Sequence, residues 1–323
     1  MPQTAPADVD PSFREAAHGK LRELFGYDAF RAGQFEALAA LRAHRAALAL
    51  FPTGGGKSLV YQLYSQLAPS GLTLVVSPLI ALMKDQVDDM RTRGISAARI
   101  DSSLEYGELR RIRDEIRDGT LRLLYVAPER FNNEGFRALI EGAEVALFAV
   151  DEAHCISQWG HNFRPDYLKL VGYARGVNAE AVLALTATAT PSVVADITAA
   201  LEIPAEAAVL NSAYRPNLHI GVSPLPIAER PAALARLLRE RPRGTTIVYT
   251  TLQRTAEEVA AYLNADGLAA RAYHAGIDSV RRGEIQEAWT AGDDEIVVAT
   301  IAFGMGIDKP DVRYVYQDRK SVV

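Results

Sequence analysis

Short apolar runs, rich in β-branched residues, recur along this chain between longer stretches of helical periodicity. They fall at residues 46–51, 72–76, 121–126, 145–150 and 182–186, and again at 245–250, 269–273, 295–300 and 312–316. A strand that is apolar on both faces must be covered on both, and the amphipathic stretches supply the cover. The pattern therefore predicts βα units with parallel sheets, an α/β fold. The runs form two groups. Between them, Ile203-Pro204, Tyr214-Arg215-Pro216-Asn217 and Ser223-Pro224-Leu225-Pro226 punctuate the chain as an interdomain connector. We expect a flexible lead-in over residues 1–19, which holds three prolines in its first dozen positions, a first lobe over 20–205, a connector over 206–225 and a second lobe over 226–323.

A length of 323 residues suits two cores of ordinary size, and 49% apolar residues suffice to fill them. The formal net charge of −5 argues against a uniformly basic coat, so contact with nucleic-acid phosphates must use a local patch of Lys and Arg. Cys155 is the only cysteine, which leaves no internal disulfide and no multi-cysteine zinc site, so zinc is not expected. The first residues carry Asp8, Asp10 and Glu15 without an apolar core, and long apolar runs are absent. No membrane partner is expected, and the reading is a cytoplasmic protein, nucleoid-associated if bacterial.

The densest chemistry lies at residues 51–58, Phe-Pro-Thr-Gly-Gly-Gly-Lys-Ser, after the apolar run Ala46 to Phe51 and before a helix-like stretch. Glycines let consecutive backbone N–H groups turn toward phosphate oxygens, the helix N-terminus adds partial positive charge, Lys57 adds a full one, and the Ser58 hydroxyl can ligate Mg²⁺. Thr53, Gly54, Gly55, Gly56, Lys57 and Ser58 are thus candidates to hold a nucleoside triphosphate. Phe51 stands where the longer G-x-x-x-x-G-K-[ST] form has glycine, so the match is to the shorter T-G-x-G-K-[ST] form. A glycine-rich hairpin with an incidental lysine is the other reading.

The run Val145 to Val150 ends in Asp151-Glu152-Ala153-His154. Carboxyl ends of parallel strands border the ligand crevice, so Asp151 would approach the Mg²⁺ held by Ser58, and Glu152 would orient or deprotonate the attacking water. Taken alone, an acidic pair here also suits a helix N-terminus. His154 is either a link to neighbouring loops or a packed residue. Earlier in the chain, Tyr27 offers a flat face to a purine, Gln34 one acceptor and two donors that complement an adenine N6/N7 edge, and Arg31 a flank. The stretch Phe25 to Leu41 also reads as an amphipathic helix entrance. Residues 155–167 place Trp159, His161, Phe163, Arg164 and Tyr167 in one predicted loop, suited to unpaired bases and phosphate or to a satellite core. Ser77-Pro78-Leu79 follows a strand and suits a phosphate backbone or an ordinary turn. Thr300 and Asp308 bracket a turn with Gly304 and Gly306, where Thr300 would contact a phosphate and Asp308 the ribose or the cleft between lobes.

These blocks, in this order across residues 20–315, resemble the superfamily 2 helicases and, within them, the RecQ family of DNA helicases. The resemblance rests on Phe25-Gly26-Tyr27 with Phe30-Arg31 and Gln34, on Thr53 to Ser58, on Val76-Ser77-Pro78-Leu79-Ile80-Ala81-Leu82-Met83-Lys84-Asp85-Gln86 and on Tyr125-Val126-Ala127-Pro128-Glu129-Arg130. It continues through Asp151 to His161, Leu185-Thr186-Ala187-Thr188-Ala189-Thr190, and Ala299 to Pro310. It implies two RecA-like parallel-sheet P-loop NTPase lobes in tandem, with ATP and Mg²⁺ as cofactors. Adenine would bind at Tyr27, Arg31 and Gln34, with Asp308 completing the nucleotide contacts. Mg²⁺ would sit at Ser58 and Asp151, and Lys57, Asp151 and Glu152 would carry catalysis. Single-stranded and forked DNA would meet Ser77, Pro78, His154, Trp159, His161, Phe163, Arg164 and Thr300. The implied activity is ATP-driven 3′ to 5′ translocation and duplex unwinding in recombination and repair. An RNA helicase is a weaker alternative, since nothing here reads the 2′-hydroxyl.

Two departures stand out. Thr250-Thr251 occupy positions where Cys-Asn is commoner in the family, and after Val312 to Val315 the family pattern continues into a helix with Gln-x-x-Gly-Arg-x-Gly-Arg. Here Tyr316 to Val323 closes the sequence, so we expect a fragment or an altered terminus, a second lobe incomplete at its C-terminus and no arginine finger. A chain that binds ATP and DNA with little turnover is the corresponding alternative function. Protein partners are not legible.

Overall fold

A computed structural model describes residues 10–78, 80–101, 104, 106–159, 164–212, 217–303, 309 and 311–318. The chain forms two compact units that divide at Pro216 and Asn217.

The first unit opens with α1 (Pro11–Phe25). The Asp10 carboxylate accepts from Ser12 N–H at 2.9 Å, Pro11 takes the first helical position, and Gly26 closes the helix at φ +69°. These start and stop signals correct the flexible lead-in expected over 1–19. From residue 11 the segment is helix, and Ala17, Leu21 and Phe25, spaced four apart on one face, are buried.

There follow α2 (Gln34–His44), β1 (Ala46–Leu50), α3 (Lys57–Leu67), β2 (Leu72–Val76), α4 (Ile80–Thr92), β3 (Ala97–Ile100) and α5 (Tyr106–Arg117). Then come β4 (Leu123–Val126), α6 (Glu134–Glu141), β5 (Val145–Val150), α7 (Pro165–Gly176), β6 (Val182–Thr186), α8 (Pro191–Ala200) and β7 (Ala208–Leu210). The strands form one sheet in the order β3-β4-β2-β5-β6-β1-β7, every pair parallel. All seven carboxyl ends therefore lie along one rim, where open α/β sheets bind ligands. The apolar runs at β2, β4 and β5 are buried at every residue, as doubly covered strands require.

Two strands fall outside the apolar pattern. β3 reads Ala-Ala-Arg-Ile and β7 Ala-Val-Leu; both are short and alanine-bearing, with little strand preference of their own. They exist as the two sheet edges, paired on β4 and on β1. β7 lies inside the stretch 206–225 read as connector, and there it extends the first sheet.

The second unit comprises α9 (Arg230–Glu240), β8 (Thr246–Tyr249), α10 (Gln253–Ala265), β9 (Ala270–Tyr273), α11 (Ser279–Ala291), β10 (Ile296–Ala299) and β11 (Tyr314–Gln317). Its sheet is also parallel, in the order β11-β8-β10-β9. One core joins Ala235 and Leu238 of α9, Ala256, Ala260 and Leu263 of α10, and Val248 and Val298 of the sheet. A second core centres on Trp289 of α11, edge-on to Phe303 at 5.1 Å, with Tyr273 packed on the same ring at 4.7 Å. The buried indole N–H finds the Thr246 carbonyl at 3.3 Å, satisfying its one donor.

Candidate nucleotide site

Phe51, fully buried, ends the apolar course of β1, and the chain then turns tightly, with Gly55 N–H donating to the Pro52 carbonyl at 2.8 Å. Gly54 and Gly56 take φ +77° and +73°, and a Cβ on Gly55 would lie 2.8 Å from that same carbonyl. The three successive glycines are therefore each required, two by backbone conformation and one by close approach. α3 starts at once, placing Lys57 and Ser58 in its first turn behind a Gly56 N-cap that offers no side chain to the helix N–H groups. Such a helix end is built to receive an anion.

Residues 26–33 are tied to this loop. Arg31 Nη1 donates to the Gly54 carbonyl at 2.6 Å. Gln34, 3% exposed, accepts at Oε1 from Arg31 N–H at 2.8 Å and donates from Nε2 to the carbonyls of Gly56 at 3.0 Å and Gly55 at 3.4 Å. In this structure the Gln34 amide braces the backbone of the phosphate loop. Tyr27 is 51% exposed and keeps an open ring face.

Asp151 follows β5 on the same rim. Its N–H donates to the Val76 carbonyl at 2.8 Å, carrying the β5–β2 ladder past the strand end, and its own carbonyl accepts from Tyr167 Oη at 3.0 Å. One carboxylate oxygen accepts from Glu152 N–H at 3.0 Å and the other from Ser77 Oγ at 3.3 Å. Burial and then the neighbouring Glu152 charge push the Asp151 carboxyl up to about 6, against the pull of Lys57, Glu152 N–H and Ser77. The phosphate loop after β1 and the acidic pair after β5 lie on the same rim of the sheet.

Glu152 sits at φ +49°, a left-handed conformation that costs a non-glycine residue roughly 1 kcal/mol or more and tends to mark working positions. From there its Oε2 lies 3.2 Å from His154 Nδ1, which is also 2.9 Å from Thr186 Oγ1 at the end of β6. Burial pulls the His154 pKa down, but hydrogen bonds with Cys155 and Glu152 outweigh it and raise the imidazole to about 9. Thr186 Oγ1 in turn donates to the Thr188 carbonyl at 3.1 Å, so a polar line Glu152–His154–Thr186–Thr188 joins the acidic pair to the loop after β6.

A pH dependence follows. With the Asp151 carboxyl raised from an ordinary 3.8 to about 6, the folded chain holds this proton more tightly than the unfolded one. The stabilisation is complete below the unfolded value and is lost as pH rises through the folded one. A divalent ion needs the ionised form, so affinity for Mg·ATP is expected to fall about tenfold per pH unit below the folded value while the free protein gains stability. Equilibrium binding measured across this range checks it; a flat profile would remove Asp151 from the metal site.

The remaining candidates divide. Ser77, assigned to a nucleic-acid rim, is 6% exposed and its hydroxyl donates to Asp151; Pro78 beside it is half-buried. Tyr167, read into a loop, is a buried residue of α7 whose hydroxyl holds Asp151. Pro165 at the first helical position starts that helix, ending the loop earlier than its aromatic content suggests. Trp159 is 81% exposed, and its N–H donates to Ser157 Oγ at 3.2 Å, while Ser157 donates to Asp196 of α8 at 2.5 Å. Arg164 is half-buried at the N-cap of α7, its N–H bonded to the Cys155 carbonyl at 3.1 Å. Thr300, expected to reach a phosphate from the second unit, is buried; its N–H donates to Tyr273 O at 3.2 Å and its carbonyl accepts from Phe303 N–H at 3.0 Å. His161, Phe163 and Asp308 lie outside the described residues.

Sequence reasoning missed Tyr61 and Tyr125, buried edge to face at 6.0 Å. Burial raises both phenols, and the nearby Asp151 raises them further. Tyr61 stands one helical turn after Lys57, the only signal the sequence carried. Among the described residues no group of three or more His, Cys, Asp or Glu is placed to hold a metal. Ser58 and Asp151 suit Mg²⁺ instead, which takes one or two protein ligands and completes its shell from phosphates and water.

A parallel sheet with a glycine-rich phosphate loop after one strand and an acidic pair after another defines a P-loop NTPase lobe. The DEAD/DEAH box helicase family matches residues 31–197, and the helicase conserved C-terminal domain matches residues 229–319. The chain belongs to the DEAD/DEAH box helicase family. It is 40% identical over 303 residues to the ATP-dependent DNA helicase RecQ of Pasteurella multocida, covering 94% of this chain and 47% of that protein. Against the ATP-dependent DNA helicase RecQ of Bacillus subtilis it is 39% identical, covering 93% of this chain and 50% of the other. The chain spans about half the length of the curated relatives it matches. In fold it is similar to Mycobacterium smegmatis helicase Lhr bound to ssDNA and AMP-PNP, with a TM-score of 0.61 at 20% identity over 95% of this chain and 43% of that one. It is also similar to S. cerevisiae Dbp5 bound to RNA and ADP BeF3, with a TM-score of 0.62 at 15% identity over 95% and 78% of the two chains.

Proposed function

We propose that this chain is the ATP-hydrolysing motor of a DNA helicase that moves 3′ to 5′ along single-stranded DNA and opens forked duplexes during recombination and repair. One observation carries the reading: the glycine loop with Lys57 in the first turn of α3 follows β1, and the pair Asp151-Glu152 follows β5, at the carboxyl ends of one parallel sheet. Relatives named as ATP-dependent DNA helicases support the choice of ATP and DNA.

Ser58 and Asp151 would hold Mg²⁺, which when bound neutralises phosphate charge. The chain's own residues do the rest. Lys57 and the loop amides hold the phosphate oxygens, and Glu152 orients the attacking water and accepts its proton. The left-handed backbone of Glu152 and its contact with His154 at 3.2 Å aim that carboxylate. The exposed Trp159 offers a stacking face to an unpaired base, and Ser157 fixes its approach through Asp196.

The test is phosphate release from Mg·ATP with and without single-stranded DNA, with RNA as competitor. DNA is expected to stimulate turnover and to outcompete RNA; no stimulation, or preference for RNA, would overturn the reading. Trp159→Ala is expected to leave basal hydrolysis within about twofold while weakening DNA stimulation about tenfold, since one base-stacking contact is worth ~1–3 kcal/mol. Equal loss of basal activity would mean that Trp159 serves the ATP site itself.

A further inference from the structure

We propose that Asn211 is a positioning residue for recognition of the nucleotide base. It anchors the loop 26–33, which carries Tyr27 and Arg31, to the first sheet. The proposal rests on the nucleotide reading above and deepens it.

Asn211 directly follows β7. Its N–H donates to the Leu50 carbonyl at 2.9 Å, which carries the β7–β1 ladder one step past the strand and delivers the side chain to the rim beside Phe51. From there Nδ2 donates to the Ala32 carbonyl at 2.7 Å, a bond that spans 179 residues of sequence. The packing around it has no slack. Gly33 takes φ +86°, and a Cβ there would lie 2.6 Å from Asn211 Nδ2 and 2.7 Å from Phe51 Cε1. Glycine at 33 is thus what lets the amide approach the loop.

The loop is consequently held from two sides. Arg31 and Gln34 fasten it to the carbonyls of Gly54, Gly55 and Gly56, the backbone that would cradle a triphosphate. Asn211 fastens it to a sheet edge just ahead of the boundary between the two units. The first set fixes the loop relative to the phosphates; the second adds, to the packing of Phe30 and α2 on the core, a direct hydrogen bond from the sheet edge to the loop that carries the half-exposed Tyr27. Loss of the Asn211 amide therefore acts on base contacts and leaves the phosphate cradle unchanged.

Equilibrium binding of Mg·ATP, Mg·GTP and Mg·tripolyphosphate to the full chain separates these roles. Asn211→Ala is expected to weaken Mg·ATP about 3–10-fold, the value of one hydrogen bond, with tripolyphosphate unchanged and the preference for ATP over GTP reduced. Gly33→Ala, which displaces the Asn211 side chain while keeping it, is expected to lower the same preference. Unchanged ATP affinity in Asn211→Ala, or an equal loss for ATP and tripolyphosphate, would overturn the proposal. A wild-type chain that takes up neither ATP nor tripolyphosphate would instead overturn the nucleotide reading, and this inference with it.

Discussion

Lys57→Ala is expected to lower ATP turnover about 10²–10³-fold, the usual effect of removing one preorganised charge from a site where negative charge develops. Two losses combine. The phosphate oxygens lose their ammonium, and Asp151 loses one of the three groups that draw its carboxyl down, so it rises above about 6 and holds a metal less well at neutral pH. The fold should survive, because Lys57 lies in the first turn of α3, makes none of that helix's core contacts, and alanine is the better helix former there. Lys57→Arg should not rescue turnover, since a planar guanidinium fork does not replace a compact point charge in a loop built of three glycines. Steady-state phosphate release paired with thermal unfolding decides the matter. Wild-type turnover in Lys57→Ala, or a large drop in melting temperature, would show that the residue is structural.

The parts of this site that were legible in the sequence are those whose chemistry is local. Three glycines before Lys57-Ser58, and two carboxylates at the end of an all-apolar run, declare themselves because neighbouring backbone positions supply the geometry. The parallel sheets were legible for the same reason, through runs such as Val145 to Val150. What escaped depends on partners distant in the chain. An amide at Gln34 complements adenine on its own chemistry, but its brace on the carbonyls of Gly55 and Gly56, more than twenty positions away, has no local signal. That Ser77 bonds Asp151 follows from the parallel pairing of β2 with β5, which no local pattern announces. β3 and β7 carried too little β-branched character to stand out, and only the sheet edges they complete make them strands. Two misses were avoidable. Asp10-Pro11 with Gly26 marks α1, and Arg164-Pro165-Asp166 marks the start of α7, so the lead-in and the aromatic loop were both drawn too long.

Glu152→Gln is expected to cut turnover by about 10²–10⁴, the range for loss of a general base, while leaving Mg·ATP affinity at least as high as in the wild type. The substitution is well suited to isolate charge, because glutamine has the same length and meets the same backbone demand at φ +49°. Its effect on binding has a definite sign. The Glu152 charge is the second cause of the raised Asp151 carboxyl, after burial, so neutralising it lowers that pKa and favours the ionised, metal-holding form. In the same variant His154 loses its ionic partner at 3.2 Å, and its pKa should fall from about 9 toward the ordinary imidazole value. Lys57→Ala and Glu152→Gln thus separate in a single pair of measurements, the first losing binding and turnover together, the second losing turnover alone. A Glu152→Gln chain that binds Mg·ATP poorly would place Glu152 among the metal ligands rather than at the water. One that still turns over would move the general base elsewhere on the rim, and His154, which contacts both Glu152 and Thr186, would be the next side chain to change.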